Sequence, residues 1–374
     1  LIVILCSVSL TLLPACTALK GHTEPEWVTG YSSRYAAEQY LLGVGQADSV
    51  TVAQERAYGA VAKIFKAQVT VQSKDWESFL LFENKGTTAT ERRLSVDHIT
   101  NVSSDKALEN VNVLESWTNR RTGQSYVLAG LNRAQSESAL SQKISELDRT
   151  VEDELEESRR APEKLAKIRH LRRAGKTLVL RDAFNADLRV IRTSGQGTPA
   201  AHRLTEVTVE LERFLSKSFL IGVDVQGEQA DVVKRAMMEG LVREGLPVTS
   251  LAGTASGAAS AETGSQGVDL SVKGTVRVWA ADIPDPRFKY ARWCSDFLIL
   301  DPVAQRVVGA VSKTGREGHL SIQEAMTKAV RVMQQSLVAD LSKTLAGYVY
   351  GDVPASDTIP PAACPRDEAA GVGR

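Results

Sequence analysis

The side chains with the greatest chemical reach in this 374-residue sequence are four cysteines, Cys6, Cys16, Cys294 and Cys364. They form no Cys-x-x-Cys pair and no Cys/His cluster, so they offer no metal site, and they are too few for a disulfide framework. Ser103-Ser104-Asp105-Lys106 has Ser-x-x-Lys spacing, and Lys313-Thr314-Gly315 would be its companion in serine acyl transfer. However, the serine is expected in a loop of a different domain, and no Ser-x-Asn element lies between the two. Gly43-Val44-Gly45 sits between a strand and a helix like the start of a dinucleotide loop, but Asp48 occupies the third glycine position, where a carboxylate repels pyrophosphate. The histidines His22, His98, His170, His202 and His319 have no carboxylate or nucleophile at a recognisable spacing. The residues thus support no catalytic set, cofactor or metal, and the expectation is a protein that is not an enzyme.

Charge narrows the partners further. Lys and Arg total 45 and Asp and Glu total 45, which removes the general basic excess of a nucleic-acid binder. The length suffices for two or three domains with hydrophobic cores.

The thiol with the clearest context is Cys16. The run Leu1 to Leu13 is almost wholly apolar; it is too short to span a bilayer as a helix, which takes ~20 residues, but has the length of a signal-peptide core. Leu13-Pro14-Ala15-Cys16 resembles the bacterial lipobox at Leu13, Ala15 and Cys16, whereas Pro14 replaces the usual Ala, Ser or Thr. The resemblance implies cleavage between Ala15 and Cys16 and three acyl chains at Cys16. At ~0.8 kcal/mol per buried methylene, two chains already make attachment effectively permanent. Thr17, where Asp would retain the protein at the inner membrane, implies the outer membrane. No Met and no basic residue precede the apolar run, and the sequence is read as lacking its first few residues. Cys6 would leave with the leader (1–15). Cys294 and Cys364 would remain in an oxidising compartment as a candidate disulfide, left open by the Pro-rich surroundings of Cys364.

Behind a tether (16–25), residues 26–134 alternate between strand and helix patterns. Tyr40 to Gly45 reads as a buried strand. Thr51 to Val69 reads as a helix with Ala53, Ala57, Ala60, Val61, Ile64 and Phe65 on one face. Val69–Lys74, Leu94–Val102, Val111–Asn119 and Ser125–Asn132 read as strands, the last two joined by a turn with Gly123 in the left-handed position. Pro25-Glu26-Trp27, Gly43-Val44-Gly45-Gln46-Ala47, the alanine-rich helix from Ala53, and the hairpin from Ser116-Trp117 to Tyr126-Val127-Leu128-Ala129-Gly130-Leu131-Asn132-Arg133 together resemble the Lpp-twenty type outer-membrane lipoproteins and related flagellum-associated envelope proteins. The resemblance covers about 110 residues. It implies a helix on an antiparallel sheet and an envelope role, and it carries over no catalytic residues.

Residues 135–192 are helical in pattern. Leu140, Ile144, Leu147, Val151 and Leu155 make a narrow seam suited to one partner helix, as in a coiled coil. Pro162 then starts a second helix with Leu165, Ile168, Leu171 and Leu178. The first arm ends acidic and the second begins basic, with Arg159, Arg160, Lys164, Lys167, Arg169, Arg172, Arg173 and Lys176. Folded as a hairpin, the two runs would pair. Left open, the basic run is a candidate anion patch for phosphate-bearing lipids or other polyanions. Acidic residues near a helix C-terminus cost ~0.3–1 kcal/mol each when exposed, so one kinked helix remains an alternative.

Residues 203–350 read as a second α+β domain, with strands Phe219–Val225, Pro247–Leu251, Val268–Ala280, Phe288–Leu300 and Arg306–Ser312. Its helices are Asp231–Arg243 and Ser321–Tyr348, and Gly253–Gly267 is a flexible loop. The order of elements is similar to that of the curli-secretion lipoprotein and of cell-wall synthase activators, by analogy only. Residues 351–374 read as a disordered tail. The fold class expected is α+β, two helix-on-sheet sandwiches joined by a charged helical hairpin. The function expected is a lipid-anchored accessory factor for assembly of an envelope structure, with the flagellar base as one candidate. Protein partners in the envelope and a homo-oligomer are both compatible with it. The alternative is contact activation of a cell-wall synthase or hydrolase.

Overall fold

The computed structural model describes residues 24–72, 76, 79, 98–99, 101–103, 105, 108–251, 267–352 and 361–365. They fall into two compact units: the described residues up to Ile64 with Leu108–Gln135, and Phe65–Ala107 with Ser136–Arg374. The leader with Ala15, Cys16 and the tether up to residue 23 lie outside the described residues.

In the first unit, strands β1 (Tyr40–Ala47), β2 (Val111–Thr118) and β3 (Ser125–Asn132) form an antiparallel sheet in the order β1-β3-β2. Helix α1 (Val50–Gln72) crosses one face. Its small residues set the distance: a Cβ on Gly43 would lie 2.5 Å from the Ala57 carbonyl oxygen, and one on Gly45 would overlap that of Ala53. The two glycines therefore serve helix-to-sheet contact, not a phosphate. Ala53, Ala57, Val61 and Phe65 are buried as their spacing predicts, while Ile64 is on the exposed side. Gly123 has φ +74°, the left-handed turn residue of the β2–β3 hairpin.

Two expected strands are helical where they are described. The chain stays in α1 through Gln72, because extending an existing helix gains a hydrogen bond per residue and short Val69/Val71 alternation cannot outweigh it. His98, Ile99 and residues 101–103 are helical as well, which brings Ile99 and the buried Ser103, four apart, to one side; Ile99 packs on the core of the second unit.

The second unit begins with two long helices, α2 (Arg133–Arg160, its first three residues counted with the first unit) and α3 (Lys164–Ile191). Pro162 lies in the link between them instead of in the first turn of α3, whose N-cap is Glu163. All the seam residues from Leu140 to Leu155 and from Leu165 to Leu178 are buried. Val151, Leu155, Leu165, Ile168, Leu171 and Leu178 belong to the same core as the second sheet, so residues 135–192 are not a free-standing arm. The physical reason is that α3 is apolar on more than one side, with Val179, Ala183, Phe184 and Leu188 also buried.

Helix α4 (Leu204–Ser218) is unanticipated, although Leu204, Val207, Leu211 and Leu215 step by three and four and are all buried. Strands β4 (Ile221–Gln226), β5 (Val248–Ser250), β6 (Leu270–Ala281), β7 (Lys289–Asp301) and β8 (Arg306–His319) form one sheet in the order β5-β4-β6-β7-β8. The pairings of β4 are parallel and the long ladders β6-β7-β8 antiparallel. Helices α5 (Ala230–Arg243) and α6 (Ile322–Tyr350) cover the face carrying Val272, Val276, Trp293, Phe297 and Ile299. Ser321 caps α6 by accepting from the Glu324 N–H at 3.3 Å, and Gly351, with φ +77°, ends it. Both units are helix-on-sheet, an α+β fold.

The tail is not wholly disordered. Asp352 is ion-paired, and residues 361–365 lie along the second sheet, because specific polar groups compensate for their poor apolar content. Residues 353–360 and 366–374 lie outside the described set, as does nearly all of the Gly253–Gly267 loop.

Candidate functional site

Each basic residue of the α2–α3 run has an acidic or carbonyl partner, while Arg159, Arg160, Lys164, Arg173 and Lys176 keep 44–68% of their side-chain surface exposed. Arg159 pairs with Glu152 at 3.8 Å, Arg160 with Glu156 at 2.8 Å, Lys164 with Asp269 at 2.9 Å and Lys167 with Glu210 at 3.6 Å. Arg173 pairs with Glu154 at 2.8 Å, and Arg169 donates to the Tyr348 carbonyl at 2.7 Å. Arg172 grips both oxygens of Asp352 at 2.7 Å and donates to the Tyr350 carbonyl at 2.8 Å, with Lys176 beside the same carboxylate at 3.5 Å. Burial alone would raise the Asp352 pKa, but the Arg172 guanidinium holds it below the ordinary carboxylate range. Internal pairing is present along the run, at contacts that are largely solvent-exposed apart from that of Arg172. Glu154 is the acidic partner that crosses from α2 to α3; Glu152 and Glu156 lie on the same helix as Arg159 and Arg160, and Glu210 of α4, Asp269 just before β6 and Asp352 just after α6 are brought in by tertiary folding, which no local charge pattern announces.

Between the helices, the Arg181 side chain is 1% exposed and pairs with Asp148 at 2.9 Å, while donating to the Pro199 carbonyl, also at 2.9 Å. Glu154 joins His170 at 2.7 Å as well as Arg173. Burial raises its pKa, but those two hydrogen bonds outweigh it and leave the carboxyl below its usual range. His202 pairs with Glu152 at 2.6 Å, so these histidines serve structural pairs. The serine acyl-transfer elements are unsuited to substrate. Ser103 is buried, and Lys313 is tied to Asp340 at 2.6 Å. Ser104 and Lys106 lie outside the described residues.

Cys294 and Cys364 are joined, with Sγ–Sγ 2.11 Å and Cα–Cα 5.1 Å. Next to the bond, the Asp296 carboxylate accepts the backbone N–H groups of Ala363 and Cys364 at 2.7 and 2.8 Å. Sequence reasoning did not single out Asp296, though its spacing of two from Cys294 in a strand already puts both on one face.

The sheet face opposite α1 is the candidate binding surface of the first unit. Trp27, in the short 3-10 turn Glu26–Thr29, is buried and donates from Nε1 to Glu115 at 2.9 Å; Glu115 also accepts from Arg34 at 3.1 Å. The register puts Glu115 opposite Leu128 and Trp117 opposite Tyr126, whose rings are 5.4 Å apart. Around this anchored tryptophan, Leu42, Val44, Leu114, Trp117 and Tyr126 are only half-buried. Such a surface, apolar with polar ring edges, suits protein contact and provides no nucleophile or acid–base pair.

Asp187 in α3 is a further buried ionisable group. It is fully buried, its carboxylate oxygens make no geometric hydrogen bond, and desolvation pushes its pKa up to about 7, the Ser103 hydroxyl acting weakly in the opposite sense. Asp187 lines neither of two surface grooves formed by described residues. One, of about 720 Å³, runs over α4 beside Lys167 and Phe214; the other, of about 850 Å³, lies between α5 and β5. No group of three or more His, Cys, Asp or Glu among the described residues could hold a metal, and no described helix is long and apolar enough to cross a membrane.

The turn carrying Trp27, the α1-backed sheet and its closing hairpin coincide with a known sequence family. Residues 25–132 match the LPP20 lipoprotein family. The LPP20 segment thus takes in the whole of the three-stranded sheet together with α1, and it supports an envelope-associated lipoprotein. A comparison with curated proteins finds no match. Among solved structures, a secreted protein of the human pathogen Helicobacter pylori aligns at 14% identity and TM-score 0.39, over 82% of this chain and 97% of its own. A minor lipoprotein of Acinetobacter baumannii aligns at 11% identity and TM-score 0.23, over 37% and 97% respectively. Scores this low do not establish a shared fold, and the LPP20 match stands without them.

Proposed function

We propose that this protein is a lipoprotein held by Cys16 to the periplasmic face of the outer membrane, where it acts without catalysis as an assembly or accessory factor of an envelope structure. The observation that carries this reading is the LPP20 match beginning at residue 25, nine residues after a lipobox-like cysteine. The half-buried face around Trp27 supports binding as its mode of action, and the pairing of His170, His202 and the basic run with carboxylates supports a role without catalysis. The flagellar base is the structure we favour as its site of action.

The anchor is tested by palmitate labelling in a bacterial host, followed by membrane fractionation. The wild-type chain is expected to be labelled and to sediment with outer membranes, and Cys16→Ser to lose both properties. An unlabelled wild-type chain retaining its leader would overturn the reading. The role is tested by purifying flagellar basal bodies: co-purification that weakens in Trp117→Ala supports it, and absence from them together with stimulation of a purified cell-wall synthase would replace it with contact activation.

A further inference from the structure

Cys294, Asp296 and Arg277 are a preformed group on one face of the second sheet. Cys294 and Arg277 are register partners across β6 and β7, and Asp296 stands two residues along, opposite Thr275. The opposite face of the same strands carries Val276, Val278, Trp293 and Phe297, all buried in the core. Cys294 points away from that core, yet it is completely buried, because residues 361–365 cover it. Among the described residues, three polar contacts hold that segment besides the sulfur bond: two consecutive backbone N–H groups donate to the two oxygens of Asp296 at 2.7 and 2.8 Å, and Arg277 Nη1 donates to the Pro365 carbonyl at 3.2 Å. All three contacts engage main-chain atoms of the segment, so they recognise its backbone, which bends at Cys364 to turn two successive N–H groups toward one carboxylate, and they fix its position on the sheet. The consequence is that Cys364 is placed over Cys294, 70 residues away in the chain.

We infer that Asp296, with Arg277, is a positioning clamp that docks the C-terminal segment in the reduced chain and thereby directs oxidation of Cys364 onto Cys294. The clamp supplies proximity; the oxidant comes from outside and is a disulfide, either a small one such as glutathione disulfide or that of a protein oxidant. One thiolate attacks the external disulfide to give a mixed disulfide and release one thiol. The second thiolate then attacks the protein sulfur of that mixed disulfide and releases the other thiol. Two protein thiols lose two electrons and two protons, one S–S bond forms, and the external disulfide is reduced to two thiols. Charge-assisted hydrogen bonds made before the sulfur bond raise the effective concentration of one thiol at the other, as any tether of correct geometry does.

The test uses the full chain carrying Cys6→Ser and Cys16→Ser, so that Cys294 and Cys364 are the only thiols. Equilibration in glutathione redox buffers gives the effective concentration of the pair. Asp296→Ala is expected to lower it about tenfold or more, the scale of one to two charge-assisted bonds, and Arg277→Ala to lower it less. An Asp296→Ala value within about twofold of the parent would overturn the inference. Should Asp296→Ala fail to fold, a second measurement decides. In the same background with Cys364→Ser, the amides of residues 363 and 364 are expected to stay protected from hydrogen exchange; free exchange at both would mean that the sulfur bond alone holds the segment, and would overturn the clamp. Both arms are carried out in solution and do not depend on lipid attachment.

Discussion

At the scale of single residues, Asp187 and Asp352 respond to pH in opposite directions. Asp352 has a folded pKa below its unfolded value, so its pairing with Arg172 contributes stability at neutral pH that is lost as pH falls through the folded pKa. Asp187 has a folded pKa raised from 3.8 to about 7, so the folded state holds its proton more tightly, and stability falls as pH rises through that window. At 1.36 kcal/mol per pKa unit this loss is on the order of 4 kcal/mol. Urea unfolding of Asp187→Asn, compared with wild type from pH 4 to pH 8, should show a flatter profile and a relative gain at the alkaline end. A pair of parallel profiles would show that Asp187 is not the group responsible. Arg181 illustrates a different effect: truncation to Ala removes its pairing with Asp148 and the bond to Pro199, while Asp148, a third exposed, can recover water. The expected cost in urea unfolding is about 2 kcal/mol, below the ~3–5 kcal/mol of a fully enclosed pair.

At the scale of elements, the contact of α1 with its sheet depends on residues that have almost no side chain. A Cβ at Gly45 meets the backbone of Ala53 and Ala57, which no rotamer change relieves. Gly45→Ala should therefore separate helix from sheet, cost about 3 kcal/mol or more, and show in the fluorescence of Trp27 as loss of its buried environment. Gly123→Ala offers the contrast, since nothing lies near its Cβ position but φ is +74°. There the cost is conformational, about 1 kcal/mol, measurable as a modest fall in unfolding midpoint with unchanged fluorescence. The α2–α3 pair obeys the same logic of faces. One seam of α2 is apolar, whereas α3 is buried nearly all round, and so the hairpin forms part of a core in place of projecting as an arm.

At the scale of the whole molecule, the Cys294–Cys364 bond closes a loop with a sequence separation of 70. Loop-closure entropy for that length is about 4 kcal/mol, so Cys364→Ser should lower the stability of the second unit by about 2–4 kcal/mol while leaving the first unit, which contains neither cysteine, unchanged. Two-step denaturation, with tryptophan fluorescence of the Trp27 region distinguished from that of Trp293 by substitution, would check the assignment. A shift of both transitions would refute it.

Local pattern alone determined the strands β1, β2, β3 and β6, the helices α1, α2 and α5, and the buried stripe of α6, because periodicities of 2 and 3.6 residues report burial directly. The resemblance carried by Trp27, the Gly43–Ala47 run, the alanine-rich helix and the closing hairpin, which no periodicity supplies, agrees with the LPP20 match over residues 25–132. What depends on residues far apart in sequence was not legible. The helical state of residues 69–72 and 98–99 was decided by helix propagation and core contact against short alternations that imitate strands. The fate of the basic run was decided by Asp269, Glu210 and Asp352, each brought in by tertiary folding from outside the hairpin. The docking of a Pro-rich tail was decided by one carboxylate two residues from a cysteine, since a segment too polar to bury itself can still be held when its backbone donors find charged acceptors on a rigid sheet.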